Sequence, residues 1–350
     1  MFDYETLKIV WWLLVGVLLI GFAIMDGHDM GVGTLLPFVG RSDIERRVVI
    51  NTVGPHWDGN QVWFITGGGA IFAAWPLVYA TAFSGFYWAM LAVLWALFFR
   101  PVGFDYRSKI HNATWRSTWD WGLFIGGFIP PVIFGVAFGN LLQGVPFQFD
   151  AFLISTYTGT FWQLLNPFAL LAGVVSSAMI TLQGATYLAH RTEGVVQMRT
   201  ITAGTGAALL MVLGFIGAGV WLQGIDGYRI SSAVQAAALP DPLSKTVVRE
   251  AGAWMANYTT APLLWLLPTR LARLLPALTN RLLTGPWLTS FLQKACPFAQ
   301  CRAPSCASSF KQSRRRLPPT LHLPTTPCAP ACWMMPSWRQ LPPKPCHIPY

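Results

Sequence analysis

Acidic, imidazole and amide side chains cluster between the first two apolar stretches of the sequence. They are Asp26, His28, Asp29, His56, Asp58 and Asn60. Carboxylates and imidazoles bind and release protons, and amides can join them through hydrogen bonds. Polar groups entering hydrocarbon are costly and persist mainly where they face a bundle interior, a water path or a partner. The pattern therefore predicts a polar, proton-conducting site at the rim of a membrane bundle.

The elements around this site are predicted to be membrane spans. Hydrophobic residues make up 53% of the chain and charged residues only 11%, which disfavours a soluble helical protein. Apolar windows of about 18–20 residues, enough to cross a ~30 Å hydrocarbon core as a helix, recur along the chain. They are Leu7–Met25, Gln61–Tyr79, Ala82–Phe99, Trp121–Phe138, Leu164–Gln183 and Ala203–Leu222, and a seventh begins at Ala261. We therefore predict an all-α, polytopic membrane helical bundle.

The distribution of Lys and Arg predicts the orientation of the bundle. The loops after the first, third and fifth windows are basic, whereas residues 139–163 contain no Lys or Arg. Because basic loops stay in the cytoplasm, the odd-numbered loops are expected there, with Asp58 near that surface. The net charge of +10 is scattered over loops and a tail without aromatic-interleaved basic patches, so no nucleic-acid partner is expected.

The last part of the sequence changes character. All six cysteines lie between Cys296 and Cys346, in a stretch rich in Pro and Arg without an apolar window able to span. The cysteine intervals match no zinc pattern. A disordered tail, a cysteine-rich domain and translation out of frame stay open, and the irregular composition favours the last. We expect a transmembrane bundle over residues 1–268 and an aberrant tail over 269–350.

Four segments carry a family resemblance. They are DGHDMGVG at 26–33, PHWDGNQVW at 55–63, FFRPVGFDYR at 98–107 and FGNLLQGVPF at 138–147. With them the chain closely resembles subunit II of the cytochrome bd-type ubiquinol oxidases of bacterial respiratory chains, from residue 1 to about residue 268. The resemblance implies two four-helix bundles plus one helix, as a multi-pass protein of the bacterial inner membrane. It also implies two further spans after residue 270, which this sequence lacks, and this favours a frameshifted C-terminus.

The resemblance further implies a heterodimer that oxidises membrane quinol and reduces dioxygen to water. Haem b and haem d are then expected in the partner, oxidase subunit I, and this chain is expected to bind no cofactor or metal and not to be catalytic alone. Its implied role is to support subunit I and to contribute a cytoplasmic proton path. Quinol and lipid are the other expected partners.

Asp58 is the first candidate for that path. It resembles the family's proton-path acid, and an acid at the mouth of a span could pass protons inward through His56, Asn60 and water. The alternative role for Asp58 is a helix N-cap, because Gly, Asn and Gln follow it.

Asp26 and Asp29 are further proton-path candidates. They lie among glycines, which permit tight turns, so the alternatives are loop capping or ion pairs with Arg46 or Arg47. Arg100 and Arg107 are expected to be solvated on the basic cytoplasmic surface, although lipid headgroups or subunit I could also bind there.

Two other functions stay open at this point. His28 and His56 are the residue type that ligates haem, but both lie at span ends, which disfavours that role. A proton-coupled permease would need polar groups at the membrane midplane, and the predicted midspans are nearly free of charge. The remaining alternative is a nonfunctional frameshifted product.

Overall fold

The computed structural model describes residues 3–232, 241–256, 258 and 261–265. Within this part the chain forms α1 (Tyr4–Val39), α2 (Asp43–Val53), α3 (Trp57–Ala74), α4 (Pro76–Gly85), α5 (Tyr87–Tyr106), α6 (Ala113–Gln143), α7 (Pro167–Arg191) and α8 (Gly194–Leu222). Its strands are β1 (Phe147–Phe149), β2 (Ser155–Tyr157), β3 (Asp226–Ile230) and β4 (Val247–Ala251), and short 3-10 turns cover Phe161–Leu164, Ala253–Met255 and Pro262–Trp265. The expected boundary at residues 268/269 and most of the seventh window lie outside these residues.

Among the described elements, five helices are long and apolar enough to cross a membrane. They are α1, α5, α6, α7 and α8. The all-α, polytopic prediction is confirmed. The division into two four-helix bundles plus one helix stays a prediction, because the chain beyond residue 265 is not described.

The second and third windows are divided differently from the prediction. The window Gln61–Tyr79 is split between α3 and α4, because Pro76 opens α4 directly after Trp75. Proline has no N–H to continue a helix but is well suited to its first turn. The third window breaks at Phe86, and α5 continues to Tyr106, well past the expected end at Phe99.

The first helix is much longer than its apolar window. It runs 36 residues, about 54 Å of helix, and passes straight through the segment expected to form a turn after Met25. Asp26 and Asp29 consequently lie inside a helix rather than in a loop, so the loop-capping interpretation was wrong. The glycines of this segment bring neighbouring helices close rather than turning the chain.

Gly31 marks the closest of these approaches. It faces Gly184 on α7, and a Cβ added at Gly31 would overlap the Ile180 carbonyl oxygen and lie 2.8 Å from the Gly184 Cα. Near the same level, a Cβ at Gly127 of α6 would lie 2.8 Å from the Thr34 backbone nitrogen. Helix α1 is therefore held between α6 and α7 with backbone close to backbone.

The segment after α1 folds back along it. Ser42 and Glu45 form a reciprocal capping box that starts α2. The buried face of α2, which includes Val49 and Val53, shares one core with Leu36 and Val39 of α1. The chain then breaks and restarts as α3, so α2 and α3 line successive parts of α1.

The loops after α6 and α8 form short antiparallel hairpins. Gln148 of β1 pairs with Thr156 of β2, and Tyr228 of β3 pairs with Arg249 of β4. The Tyr228 hydroxyl donates to the Gln143 carbonyl oxygen at 3.0 Å, which ties the second hairpin to the end of α6. The first hairpin lies in the loop that contains no Lys or Arg, and the second lies in a loop of mixed charge with Arg229, Lys245 and Arg249.

Replacing Gly31 by Ala is expected to destabilise the subunit by about 1–3 kcal/mol, because the added methyl group has no space between α1 and α7. The matched control is Gly16→Ala on the same helix, where an added Cβ meets no atom within 4 Å. Thermal unfolding of the purified membrane complex measures both variants. Equal melting temperatures for the two would contradict the close packing of α1 on α7.

Candidate functional site

A buried ion pair joins Asp26 on α1 to Arg100 on α5. Two guanidinium nitrogens of Arg100 donate to the two carboxylate oxygens of Asp26, with Nη1 at 3.1 Å from Oδ2. Both side chains are almost completely excluded from solvent. Two-point pairing suits the planar guanidinium group, and each charge would be costly at this depth without the other. The pair therefore fixes α1 against α5.

Asp29 lies three residues further along the same face of α1 and is also fully buried. Its Oδ2 accepts a hydrogen bond from Asn60 Nδ2 at 2.9 Å and lies 4.0 Å from Arg100 Nη2. Its Oδ1 has no hydrogen-bond donor among the described residues. That oxygen lies 3.2 Å from His28 Nε2 and 3.7 Å from His56 Nδ1. A carboxylate oxygen between two imidazole nitrogens is a place where a proton can be held.

The contacts of His28 indicate that such a proton is required. His28 Nδ1 lies 2.9 Å from the Ile24 carbonyl oxygen, so we assign the ring hydrogen of the neutral imidazole to Nδ1. Nε2 then presents its lone pair to Asp29 Oδ1, and two acceptors at 3.2 Å repel unless one carries a hydrogen. The His28–Asp29 pair therefore needs one hydrogen between these two atoms, either on the ring or on the carboxyl group.

His56 connects this pair to the surface of the bundle. Asn60 Nδ2 lies 2.9 Å from both Asp29 Oδ2 and His56 Nδ1, and its two hydrogens can serve one acceptor each. His56 Nε2 then carries the ring hydrogen and faces the Tyr187 hydroxyl at 2.8 Å. That hydroxyl donates to the Thr52 carbonyl oxygen at 2.9 Å. The His56 side chain is 36% exposed, so the hydrogen-bonded chain runs from an exposed ring to a buried carboxyl group.

A second polar group, which we call the rim cluster, consists of Asp43, Asp120, Arg46, Arg107 and Arg116. Arg107 donates to Asp120 Oδ2 at 3.1 Å and to Asp43 Oδ1 at 2.9 Å. Arg46 also donates to Asp120, at 2.9 Å, and Arg116 donates to Asp43. Burial opposes the charged form of Arg107, but hydrogen bonds and charges from Asp120 and Asp43 outweigh burial and raise the pKa of Arg107. The rim cluster therefore holds α2, α5 and α6 together at the end of α1.

An apolar layer separates the rim cluster from the Asp29 site. Leu36 and Val32 of α1, Leu123 of α6 and the stacked rings of Trp57 and Phe104, whose centroids are 5.2 Å apart, belong to this layer. The buried members of this layer are hydrophobic, and the Tyr187 ring packs against them. Within the part of the chain that the structure shows, the polar connection from the surface to Asp29 runs through His56 instead.

Comparison with known proteins identifies the family. The model of the family described as cytochrome bd terminal oxidase subunit II matches residues 7–301. This chain is a member of that family. It is a multi-pass protein of the bacterial inner membrane and a subunit of a bd-type oxidase complex, which implies a partner subunit I and haems in the complex.

Individual relatives show the same similarity. The chain is 60% identical over 301 residues to the cytochrome bd-I ubiquinol oxidase subunit 2 of Escherichia coli strain K12, covering 85% of this chain and 79% of that one. It is 55% identical over 268 residues to the probable cytochrome oxidase subunit 2 of Haemophilus influenzae, covering 77% and 71% of the two chains. A chain of the bd oxidase structure from Geobacillus thermodenitrificans aligns with a TM-score of 0.49 and 15% identity, over 62% of this chain and 66% of that chain.

The structure of this bd oxidase subunit II brings together four of the five predicted proton-path residues. Asp26, Asp29, His56 and Asn60 converge, whereas Asp58 is exposed and makes no hydrogen bond or ion pair with any described residue. The N-cap interpretation of Asp58 was wrong, because the N-cap of α3 is His56 and no side chain bonds there.

The depth of the site also differs from the prediction. Asp29 precedes the end of α1 at Val39 by ten residues, about 15 Å of helix, and α2 packs along that length. The site therefore lies inside the bundle rather than at its rim. The break between α2 and α3 at Gly54 and Pro55 carries His56 and Asn60 to that depth.

The partners of the buried acids were not predicted correctly. Arg100 and Arg107 were expected on the solvated surface, but each is only 1% exposed. They lie seven residues apart, so Arg107, the C-cap of α5, follows Arg100 by two helical turns on one face, and this spacing was the available signal. Asp26 pairs with Arg100 rather than with Arg46 or Arg47. Sequence reasoning assigned no role to Tyr187, which donates to the Thr52 carbonyl oxygen and contacts His56.

The geometry of the His28–Asp29 site also disfavours two ligands other than a proton, namely haem iron and a metal cation. Both nitrogens of His28 and of His56 are engaged within the cluster, which does not fit an axial ligand to haem iron. The ligand atoms of His28, Asp29 and His56 lie within 4.8 Å of one another, as a metal site would require. However, the Asn60 amide nitrogen lies among them and the Arg100 guanidinium group is nearby, and both favour a proton over a metal cation.

Replacing Arg100 by Met is expected to cost about 3–5 kcal/mol, because Asp26 would be left buried without a counter-charge. The double variant Asp26→Asn with Arg100→Gln removes both charges and should recover part of this loss. The control is Arg229→Met, which removes an exposed pair with Glu250 and should cost at most about 1 kcal/mol. Thermal unfolding and the yield of assembled complex measure all three. If Arg100→Met lowers the melting temperature no more than Arg229→Met does, the Asp26–Arg100 pair does not stabilise the bundle.

Proposed function

We propose that this subunit supports haem-bearing subunit I and supplies it with cytoplasmic protons through the His28–Asp29 pair. The main support is the position of Asp29 Oδ1. This oxygen is buried, lacks a hydrogen-bond donor among the described residues and faces two imidazole nitrogens. Reduction of dioxygen consumes protons, and a membrane oxidase must bring them through a low-dielectric interior. A buried acid that shares a proton with histidine meets this requirement.

In this proposal His56 receives the proton at the bundle surface. Its ring can bind a second proton at Nδ1, in place of the hydrogen bond from Asn60, and one edge of the ring is exposed on this chain. The distance of 3.7 Å from His56 Nδ1 to Asp29 Oδ1 is too long for a direct hydrogen bond, so transfer needs a bridging water or a small rotation of the ring. Asn60 keeps the His56 ring beside the Asp29 carboxyl group by donating a hydrogen bond to each before the proton arrives.

The Asp26–Arg100 pair has a positioning role. It supplies a positive charge 4.0 Å from Asp29 Oδ2, which offsets part of the cost of a carboxylate in the bundle interior. Because Asp26 occupies the hydrogen-bond donors of Arg100 that face α1, the guanidinium group stays in place while Asp29 gains or loses its proton.

Asp58 is a different kind of candidate. Its exposed side chain contributes nothing to the Asp29 site within this chain, so we propose that it joins the path at a surface covered by subunit I. Membrane quinol is the proposed reductant of the complex, and lipid is proposed to cover the exposed apolar faces of α1 and α8.

The alternative functions are not favoured. The argument that midspans carry almost no charge was wrong, since α1 and α5 bury Asp26, Asp29 and Arg100. Membership of the oxidase subunit family, rather than charge placement, is what disfavours a permease. The family match extends to residue 301, and the chemical character of the tail stays a prediction.

Asp29→Asn is expected to lower quinol oxidase turnover and proton uptake roughly 10²-fold, because amides do not exchange protons in this way and positioned proton transfer contributes at least that much. Turnover is measured per haem, so that loss of assembly is corrected. Asp226→Asn is the matched control, since Asp226 is exposed at the start of β3. Equal turnover of the two variants would remove Asp29 from the path.

Asp58→Asn is expected to lower turnover less than Asp29→Asn, because Asp58 makes no polar contact with the described part of the site. Both variants are compared in the complete complex under the same quinol and oxygen concentrations. The reverse order would place the proton-holding centre at Asp58 and overturn the proposal for Asp29.

A further inference from the structure

We propose that a cleft beside the rim cluster binds the phosphodiester headgroup of an anionic phospholipid. The cleft has a volume of about 360 Å³ and lies where the loop after α1 meets the end of α5 and the start of α6. Its charged lining residues are Arg41, Asp43, Arg46, Arg107, Arg116 and Asp120. Basic clefts between membrane helices on the cytoplasmic side are suited to lipid headgroups.

The charge of this lining is not balanced. Four arginines face two aspartates, and both aspartates are shared: Asp120 by Arg46 and Arg107, and Asp43 by Arg107 and Arg116. Two positive charges are therefore in excess. The Arg41 side chain has no ion-pair partner in the described part, because nearby Glu45 pairs with Arg199. The cleft consequently attracts an anion.

Hydrogen-bond donors in the cleft are also left over. Arg116 Nε is buried and has no acceptor among the residues that the structure describes. Asn112 caps the 31-residue helix α6 by accepting from the Thr114 and Trp115 backbone nitrogens, which leaves the Ala113 N–H at the helix start. Guanidinium groups and a helix N-terminus are the donors that phosphate oxygens prefer.

An aromatic strip beside the cleft indicates a lipid as the source of the phosphate. Phe38, two residues before Gly40, is 59% exposed and contacts Phe124 with ring centroids 5.7 Å apart. Phe124 also contacts Trp121, which follows Asp120 directly, and stacks on Phe128 one turn further into the membrane. An acyl chain can lie along these rings while its headgroup occupies the cleft, whereas a free phosphate ion would gain nothing from them.

The test measures lipid binding to the purified, delipidated oxidase complex by native mass spectrometry. Phosphatidylglycerol is titrated against the unmodified complex and against Arg41→Gln, which leaves every ion pair of the rim cluster intact. The variant is expected to bind phosphatidylglycerol about tenfold more weakly, equivalent to about 1.4 kcal/mol. Arg47→Gln is the matched control, because Arg47 lies close in sequence, in the adjoining helix α2, but donates to Ser108 Oγ outside the cleft.

Three results would overturn the proposal. Equal affinity of Arg41→Gln and Arg47→Gln would show that the cleft does not hold the lipid. Equal binding of phosphatidylcholine and phosphatidylglycerol would contradict selection for a net negative headgroup. Displacement of phosphatidylglycerol by millimolar inorganic phosphate would assign the cleft to a free anion. Because the measurement is lipid binding and not turnover, its failure is distinct from failure of the proton path.

Discussion

The structure depends on the cost of burying charge in an apolar bundle. Arg100 and Asp26 are almost completely excluded from solvent, and each is tolerable only because the other is present with well-directed hydrogen bonds. This requirement fixes α1 against α5 at one level. The rim cluster applies the same constraint near the end of α1, where Arg107 and Asp120 are equally buried. Between the two levels the described helices pack largely through buried apolar side chains.

Close helix approach allows these pairs to form. Gly31 and Gly184 let α1 and α7 meet through their backbones, which brings Tyr187 within reach of His56. In lipid, the gain from such contacts offsets the poor helix propensity of glycine. The glycines that suggested a turn in the sequence instead serve a long, uninterrupted helix. Their role could be recognised only when the neighbouring helix was known.

The vertical arrangement of the two polar levels has a functional consequence. The Asp29 site and the rim cluster are separated by Leu36, Leu123, Phe104 and other buried apolar side chains. A proton crossing that layer directly would be unsolvated, which is strongly unfavourable. The proposed entry from the side through His56 avoids the layer. The rim cluster is not needed for this proposed path, and its excess positive charge suits an anionic lipid headgroup better than proton transfer.

Composition, apolar windows and four motifs were sufficient to predict a polytopic helical membrane protein, its family and four members of the polar site. These properties depend on local composition and residue spacing, which can be read directly from a single sequence. Tertiary structure alone decided that Arg100 meets Asp26, that Asp58 stays outside, and that α1 continues through its acidic segment. Each of these outcomes depends on which helix lies opposite. A charge in an apolar helix must find a partner across the bundle, and a single sequence does not show which of several arginines will be there.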